Sequence, residues 1–214
     1  MKNLRIPTNG IELQVQDHEG PGEACLCLHF GGANLMMWQR ALPIFQEHYR
    51  PILVDLRGHG KSDKPERGNH IETMAQDVAG VLEHLHIERV HVVGSSLGAE
   101  VGLALAACFP GNVRSLACDG ALASEYGPYG VWEGSEAEFQ AHVAGILEKM
   151  EARPEPVFPS VEAFVDAKRQ AFEKNGWWNA SFEALFRYDA YPLGSGEYTH
   201  GLRKYANLEY TRSY

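Results

Sequence analysis

A chain of 214 residues can bury a core as one domain, or as one domain carrying a large insertion. Hydrophobic residues make up 44% and charged residues 22%, the proportions of a packed globular protein rather than of a disordered or fibrous one. Nineteen Lys and Arg against 28 Asp and Glu leave a net charge of -9, which repels phosphate backbones and anionic lipid surfaces, so neither nucleic acid nor a membrane is expected as a partner.

The first elements read as a hairpin. Residues 11–16, Ile-Glu-Leu-Gln-Val-Gln, alternate strictly and pair with residues 4–6 through an Asn9-Gly10 turn. Three later runs, 24–29, 51–55 and 90–94, are apolar almost without interruption, as strands covered on both faces of a parallel sheet must be. Between the last two, Ile71, Met74, Val78, Val81, Leu82 and Leu85 recur at helical spacing and make a crossover helix, hence a right-handed βαβ unit. A second helical stripe, Val101, Ala104, Leu105 and Cys108, ends at Phe109-Pro110-Gly111 and leads into a strand over 113–118. The expected fold class is α/β, a mostly parallel sheet with crossover helices.

Beyond Asp119 no buried strand is legible. Helical spacing continues in Phe139, Val143, Ile146, Leu147 and Met150, then in Val161, Phe164, Val165 and Phe172 behind a Pro159-Ser160 start. Residues 1–120 are therefore read as the sheet core and 121–214 as a helical module. Its aromatics, Trp177, Trp178, Phe182, Phe186, Tyr188 and Tyr191 among them, suit a lid over an apolar cleft, or else the module's own core.

Four cysteines, Cys25, Cys27, Cys108 and Cys118, form no CxxC pair and no zinc-ligand ladder. Each lies in an apolar run and is read as a buried thiol. Together with an N-terminus that lacks a signal-peptide pattern, this predicts a reducing, cytoplasmic location, with no metal and no organic cofactor.

The chemistry is carried by Gly94-Ser95-Ser96-Leu97-Gly98, which a strand enters and a helix leaves. That is the context a G-x-S-x-G nucleophile elbow requires: glycines flank a turn too tight for side chains, and the central Ser96 hydroxyl is held out over the carboxyl edge of the sheet. The Leu97 N–H, at a helix N-terminus, can face a developing oxyanion.

With this elbow the chain resembles the α/β hydrolases of the lidded esterase, lipase and C–C hydrolase type. Leu28-His29-Phe30-Gly31-Gly32-Ala33, followed by Trp38, is similar to the family's His-Gly-x loop after the third strand, with Phe30 in place of the usual glycine. The match implies that Gly31 N–H is the second oxyanion donor, with Gly32 as the alternative that Phe30 leaves open. Asp55-Leu56-Arg57-Gly58-His59-Gly60-Lys61-Ser62 matches the family's Asp-x-Arg-Gly-x-Gly-x-Ser segment, and Asp55 and His59 are read as members of a self-bonded turn rather than as catalytic groups.

In this family the acid and the histidine follow the serine, beyond the lid. Nothing near Tyr214 resembles the strands that carry them, so the chain is read as stopping before the last strands and its triad as incomplete. Two internal substitutes are candidates: Asp119, at the end of the strand after the nucleophile helix, as acid, and His200, in what reads as a surface turn, as base. A sheet that stops at residues 113–118 would expose a strand edge and favour association of copies.

The leading expectation is a serine hydrolase in which Ser96 attacks a small ester or related acyl substrate while Gly31 and Leu97 hold the oxyanion. The alternative is a catalytically incomplete fragment or a non-enzymatic ligand-binding or association module of the same fold. A dinucleotide-binding fold is excluded, because no G-x-G-x-x-G follows the first buried strand.

Overall fold

The structure is a computed structural model that describes residues 1–120, 126–127 and 130–212. Strands β1 (Lys2–Thr8) and β2 (Ile11–Asp17) form the expected hairpin, with Asn9 and Gly10 both at positive φ (44° and 79°). β3 (Ala24–Leu28), β4 (Arg50–Val54), β5 (Val90–Ser95) and β6 (Val113–Asp119) complete a six-stranded sheet in the order β1-β2-β4-β3-β5-β6. β4, β3, β5 and β6 run parallel, and β2 pairs antiparallel with β4.

All five residues of β3 are buried, because both faces of the sheet are covered. Leu26 and Leu28 pack with Met74, Val78, Leu82, Val101 and Leu105 of helices α2 (Ile71–His84) and α3 (Leu97–Cys108). The alternate residues, Cys25 and Cys27, face Leu35, Trp38 and Leu42 on a 3-10 helix (Leu35–Arg40) and on α1 (Leu42–Gln46). The sheet ends at β6, whose residues are mostly exposed. This corrects the reading of the cysteines: Cys25 and Cys27 are buried, but Cys118 on the edge strand and Cys108 at the end of α3 are exposed. An apolar run cannot reveal whether a neighbouring strand covers it.

The later half is mainly helical. α4 (Glu136–Ala152) starts at a capping box in which Ser135 and Glu138 satisfy each other's backbone N–H, α5 (Val161–Glu173) starts at Ser160, and α6 (Ala180–Asp189) at Asn179. A two-residue ribbon, β7 (Tyr191–Pro192) with β8 (Tyr198–Thr199), precedes α7 (Lys204–Arg212). The aromatics pack chiefly on one another: Phe164 meets Phe158 and Phe186, and Trp178 stacks on Phe186 at 6.0 Å. The junction expected at residue 121 lies outside the described residues.

Several polar ties dock this half on the sheet core. Asn34 Nδ2 donates to the Leu185 carbonyl, the Tyr188 hydroxyl donates to Asp55 Oδ2, and Glu209 accepts from Gly68 N–H and from both Asn69 nitrogens. Among the described residues no helix is long and apolar enough to cross a membrane.

Candidate active site

Because β3, β4, β5 and β6 are parallel, their carboxyl ends share one edge, and the loops after β3, β4 and β5 converge there. β5 leaves through Ser96, which has φ 47° and ψ −117°, a conformation that L-residues rarely adopt. The backbone is too close for anything but glycine on either side. A Cβ at Gly94 would lie 2.5 Å from the Gly98 carbonyl carbon, and one at Gly98 would lie 2.5 Å from the Leu28 carbonyl carbon. Ser96 is exposed while Gly94, Ser95, Leu97, Gly98 and Ala99 around it are buried. Its carbonyl accepts the Ala99 and Glu100 N–H groups, which starts α3, and its hydroxyl makes no capping hydrogen bond.

The loop after β3 turns at Gly31-Gly32, with Gly32 at φ 78° and Ala33 N–H on the Phe30 carbonyl at 3.1 Å. The turn brings Gly31 against Leu97: a Cβ at Gly31 would meet Leu97 Cβ and Cδ2 at 3.8 Å. His29 locks this loop to the next one. Its Nδ1 donates to the Phe30 carbonyl at 2.8 Å and its Nε2 accepts the Leu56 N–H at 3.0 Å, so its partners define the tautomer. Burial lowers its pKa to about 4 and keeps it neutral.

Asp55, just after β4, is a structural hub. Oδ1 accepts Leu35 N–H at 2.7 Å, and Oδ2 accepts Lys61 N–H and the Tyr188 hydroxyl, each at 2.8 Å. Arg57 forms a buried bidentate pair with Asp77 of α2, both contacts at 2.7 Å. His59 donates from Nδ1 to the Arg57 carbonyl at 2.9 Å and lies 5.0 Å from the His29 ring. Within the turn Asp55 is bonded to Lys61 and His59 to Arg57, while Asp55 also reaches outside it to Leu35 and Tyr188.

A cavity of about 280 Å³ opens beside Gly31 and Leu97 and is closed by His59 and Asn69 from the core and by Leu202 and Tyr210 from the helical half. A wider groove of about 780 Å³ lies along Thr8, Gly80 and Phe109, at the ends of α2 and α3 remote from Ser96.

The two candidate triad partners are placed differently. Asp119 stands at the elbow, where its carbonyl accepts Ser96 N–H at 2.7 Å and its Oδ2 accepts the Ser95 hydroxyl at 3.1 Å. His200 is not on a surface turn: the bridge between Phe158 and Tyr198 folds its segment inward, and its ring stands edge-on to Phe164 at 5.2 Å. Its Nε2 accepts from Lys168 Nζ at 3.3 Å and its Nδ1 lies 3.9 Å from Asp189 Oδ2; none of these partners is Ser96. Burial, with Lys168 beside it, lowers its pKa to about 4. Burial raises the neighbouring Asp189 to about 6 and lowers Lys64 to about 8.

Sequence reasoning missed the polar lining of the cavity and the Asp189–Lys168 cluster. The motif around His59 was legible, but Asn69 is held by Glu209, 140 residues away, which no local pattern signals. Among the described residues no group of three or more His, Cys, Asp or Glu side chains could hold a metal ion.

Comparison with known proteins agrees with the fold. A profile of the alpha/beta hydrolase fold matches residues 24–190. The chain is 34% identical over 125 residues to 2-(acetamidomethylene)succinate hydrolase of Mesorhizobium japonicum, covering 58% of this chain and 43% of that protein. It is 38% identical over 103 residues to fluoroacetate dehalogenase of a Burkholderia species (46% and 34%), and 40% identical over 79 residues to 3-oxoadipate enol-lactonase 2 of Acinetobacter baylyi (37% and 30%). The match thus spans less than half the length of these relatives. The crystal structure of E-2-(acetamidomethylene)succinate hydrolase superposes with a TM-score of 0.74 at 25% identity, over 99% of this chain and 72% of that one. With most of its length inside the family profile and nearly all of it on a family structure, this chain belongs to the alpha/beta hydrolase fold family.

Proposed function

We propose that this chain carries the nucleophile half of a serine hydrolase that acts on a small ester or related acyl substrate. The observation that supports this most directly is Ser96 itself: strained, exposed among buried neighbours, and at the head of α3 with Gly31 packed on Leu97. Ser96 Oγ adds to the acyl carbonyl as a base takes its proton. The Gly31 and Leu97 N–H groups stabilise the tetrahedral oxyanion, and the leaving alcohol departs with a proton. Water then adds to the acyl-serine and releases the acid.

Asp119 is the candidate acid in place at the elbow. His200 reaches Ser96 as base only if its segment moves out of its contacts with Lys168 and Phe164. Serine at the elbow argues against the alkyl-enzyme ester chemistry of carboxylate-nucleophile dehalogenases, whatever the likeness to fluoroacetate dehalogenase. The helices α4 to α7 act as the lid, and the exposed β6 edge is where copies associate. The free cysteines favour a reducing cytoplasm.

The second reading, an incomplete or non-enzymatic binding module, is favoured by one observation: both His200 ring nitrogens face groups other than Ser96. Steady-state hydrolysis of p-nitrophenyl esters of rising acyl length separates the two. Turnover that disappears in Ser96→Ala supports the hydrolase; a folded chain without turnover supports the module.

A further inference from the structure

His59 and Asn69 line the cavity beside Gly31 and Leu97, and each carries a buried polar atom next to it. His59 is 2% exposed and Asn69 1%. Among the described residues His59 Nε2 and Asn69 Oδ1 both lack a hydrogen-bond partner, which is uncommon for buried groups in a folded protein. Their chemistry can be assigned from the bonds they do make. His59 Nδ1 faces the Arg57 carbonyl, which only accepts, so Nδ1 carries the proton and Nε2 is a bare acceptor. Burial, reinforced by His29, lowers the His59 pKa to about 3, so the ring stays neutral. Asn69 Nδ2 donates to the Pro65 carbonyl at 3.1 Å and to Glu209 Oε2 at 2.8 Å, which places Oδ1, a second bare acceptor, on the free side.

The contrast with His29 is informative, since that ring is equally buried and both its nitrogens are bonded. Gly58 keeps the corner in front of Asn69 open, with φ 78°; a Cβ there would lie 3.3 Å from Asn69 Oδ1 and 3.5 Å from Ala206 Cβ. Arg57 also borders the cavity, but its Nε and Nη2 are directed at Asp77. Among the lining residues the one cation is thus committed, and the polar atoms left unpaired at His59 and Asn69 are acceptors.

We propose that this cavity is a specificity subsite in which His59 Nε2 and Asn69 Oδ1 accept hydrogen bonds from a hydroxyl or amide N–H on the substrate, selecting acyl groups that carry such a donor over purely apolar ones and over carboxylates. The proposal rests on the assignment of Gly31 and Leu97 to the oxyanion site, but its test does not need turnover. In the full chain carrying Ser96→Ala, the dissociation constants of methyl 4-hydroxybutyrate and of methyl pentanoate, similar in size, are measured by NMR titration, together with the 15N resonance of His59 Nε2. The hydroxylated ester is expected to bind at least about tenfold tighter, since an analogue without the donor leaves the acceptors unpaired. It should also shift the Nε2 resonance; His59→Phe should abolish the preference and His59→Gln, which keeps an accepting oxygen, should retain part of it. Equal affinities, no binding of either ester by the folded chain, an unmoved Nε2 signal, or a preference that survives His59→Phe would each overturn it. Failure of the hydrolase reading shows separately, as a folded native chain without ester turnover or as turnover that Ser96→Ala leaves unchanged.

Discussion

Ser95 and Asp119 are joined at the carboxyl edge of the sheet: the Ser95 hydroxyl donates to Asp119 Oδ2 at 3.1 Å while the Asp119 carbonyl holds Ser96 N–H at 2.7 Å. The last residue of β6 thus clamps the turn in which Ser96 stands. If the clamp is the main role of this carboxylate, Asp119→Asn keeps an accepting oxygen, and the rate at which a fluorophosphonate labels Ser96 should fall less than about tenfold, whereas Asp119→Ala should lose more. A drop on the order of 10⁴ in the Asn variant, as when a triad acid is amidated, would instead make Asp119 the acid.

The backbone strain at Ser96 has a thermodynamic consequence. Glycine adopts φ 47°, ψ −117° far more readily than an L-residue does, so Ser96→Gly should stabilise the fold by about 1–2 kcal/mol. For a domain of this size each kcal/mol raises Tm by about 2–4 °C. Ser96→Ala keeps the Cβ and should leave Tm nearly unchanged. Scanning calorimetry on the three proteins reads the difference, and a Ser96→Gly variant less stable than the native chain would show that the conformation is not strained.

Acid should destabilise this chain in a defined window. His29, His59 and His200 are held neutral in the folded state, with pKa values lowered to about 4, about 3 and about 4, whereas in the unfolded chain they titrate near ~6.5. Between those values the unfolded state binds more protons, so stability falls as pH drops from ~6.5 toward 4. Asp189 works in the opposite direction. Burial raises its carboxyl to about 6, so there the folded state holds the extra proton and stability is gained on acidification. Asp189→Asn should therefore be more stable than the native chain near neutrality and should lose stability more steeply below pH 6. Urea unfolding followed across the range checks both signs.

The four thiols should divide evenly. Cys108 and Cys118 are exposed, and Cys25 and Cys27 lie under Leu35 and Trp38. A chromogenic disulfide reagent should titrate two thiols in the native chain and four after denaturation. Protection of Cys118 that grows with protein concentration would locate association at the β6 edge.

How far each feature was legible in the sequence follows from how local its cause is. The nearly continuous apolar run 24–29 reads as a central strand because both its faces are covered, and β3 is buried at every position. The elbow reads because strand, glycine bracket and helix are contiguous. Cys118 misleads because β6 has a neighbour on one side only, which an apolar run cannot report. His200 misleads because its burial is set by the pairing of Phe158 with Tyr198, forty residues apart. The polar cavity was beyond reach for the same reason: Asn69 is positioned by Glu209, and the cavity is closed by Leu202 and Tyr210, all brought in from the far end of the chain.

The central claim, that Ser96 is an activated nucleophile, is tested most directly by the intact mass of the purified 214-residue chain after exposure to a fluorophosphonate, which reacts with activated serines. One adduct per chain, lost in Ser96→Ala, is the predicted result. No adduct on a folded chain, or an adduct that persists in Ser96→Ala, would contradict it.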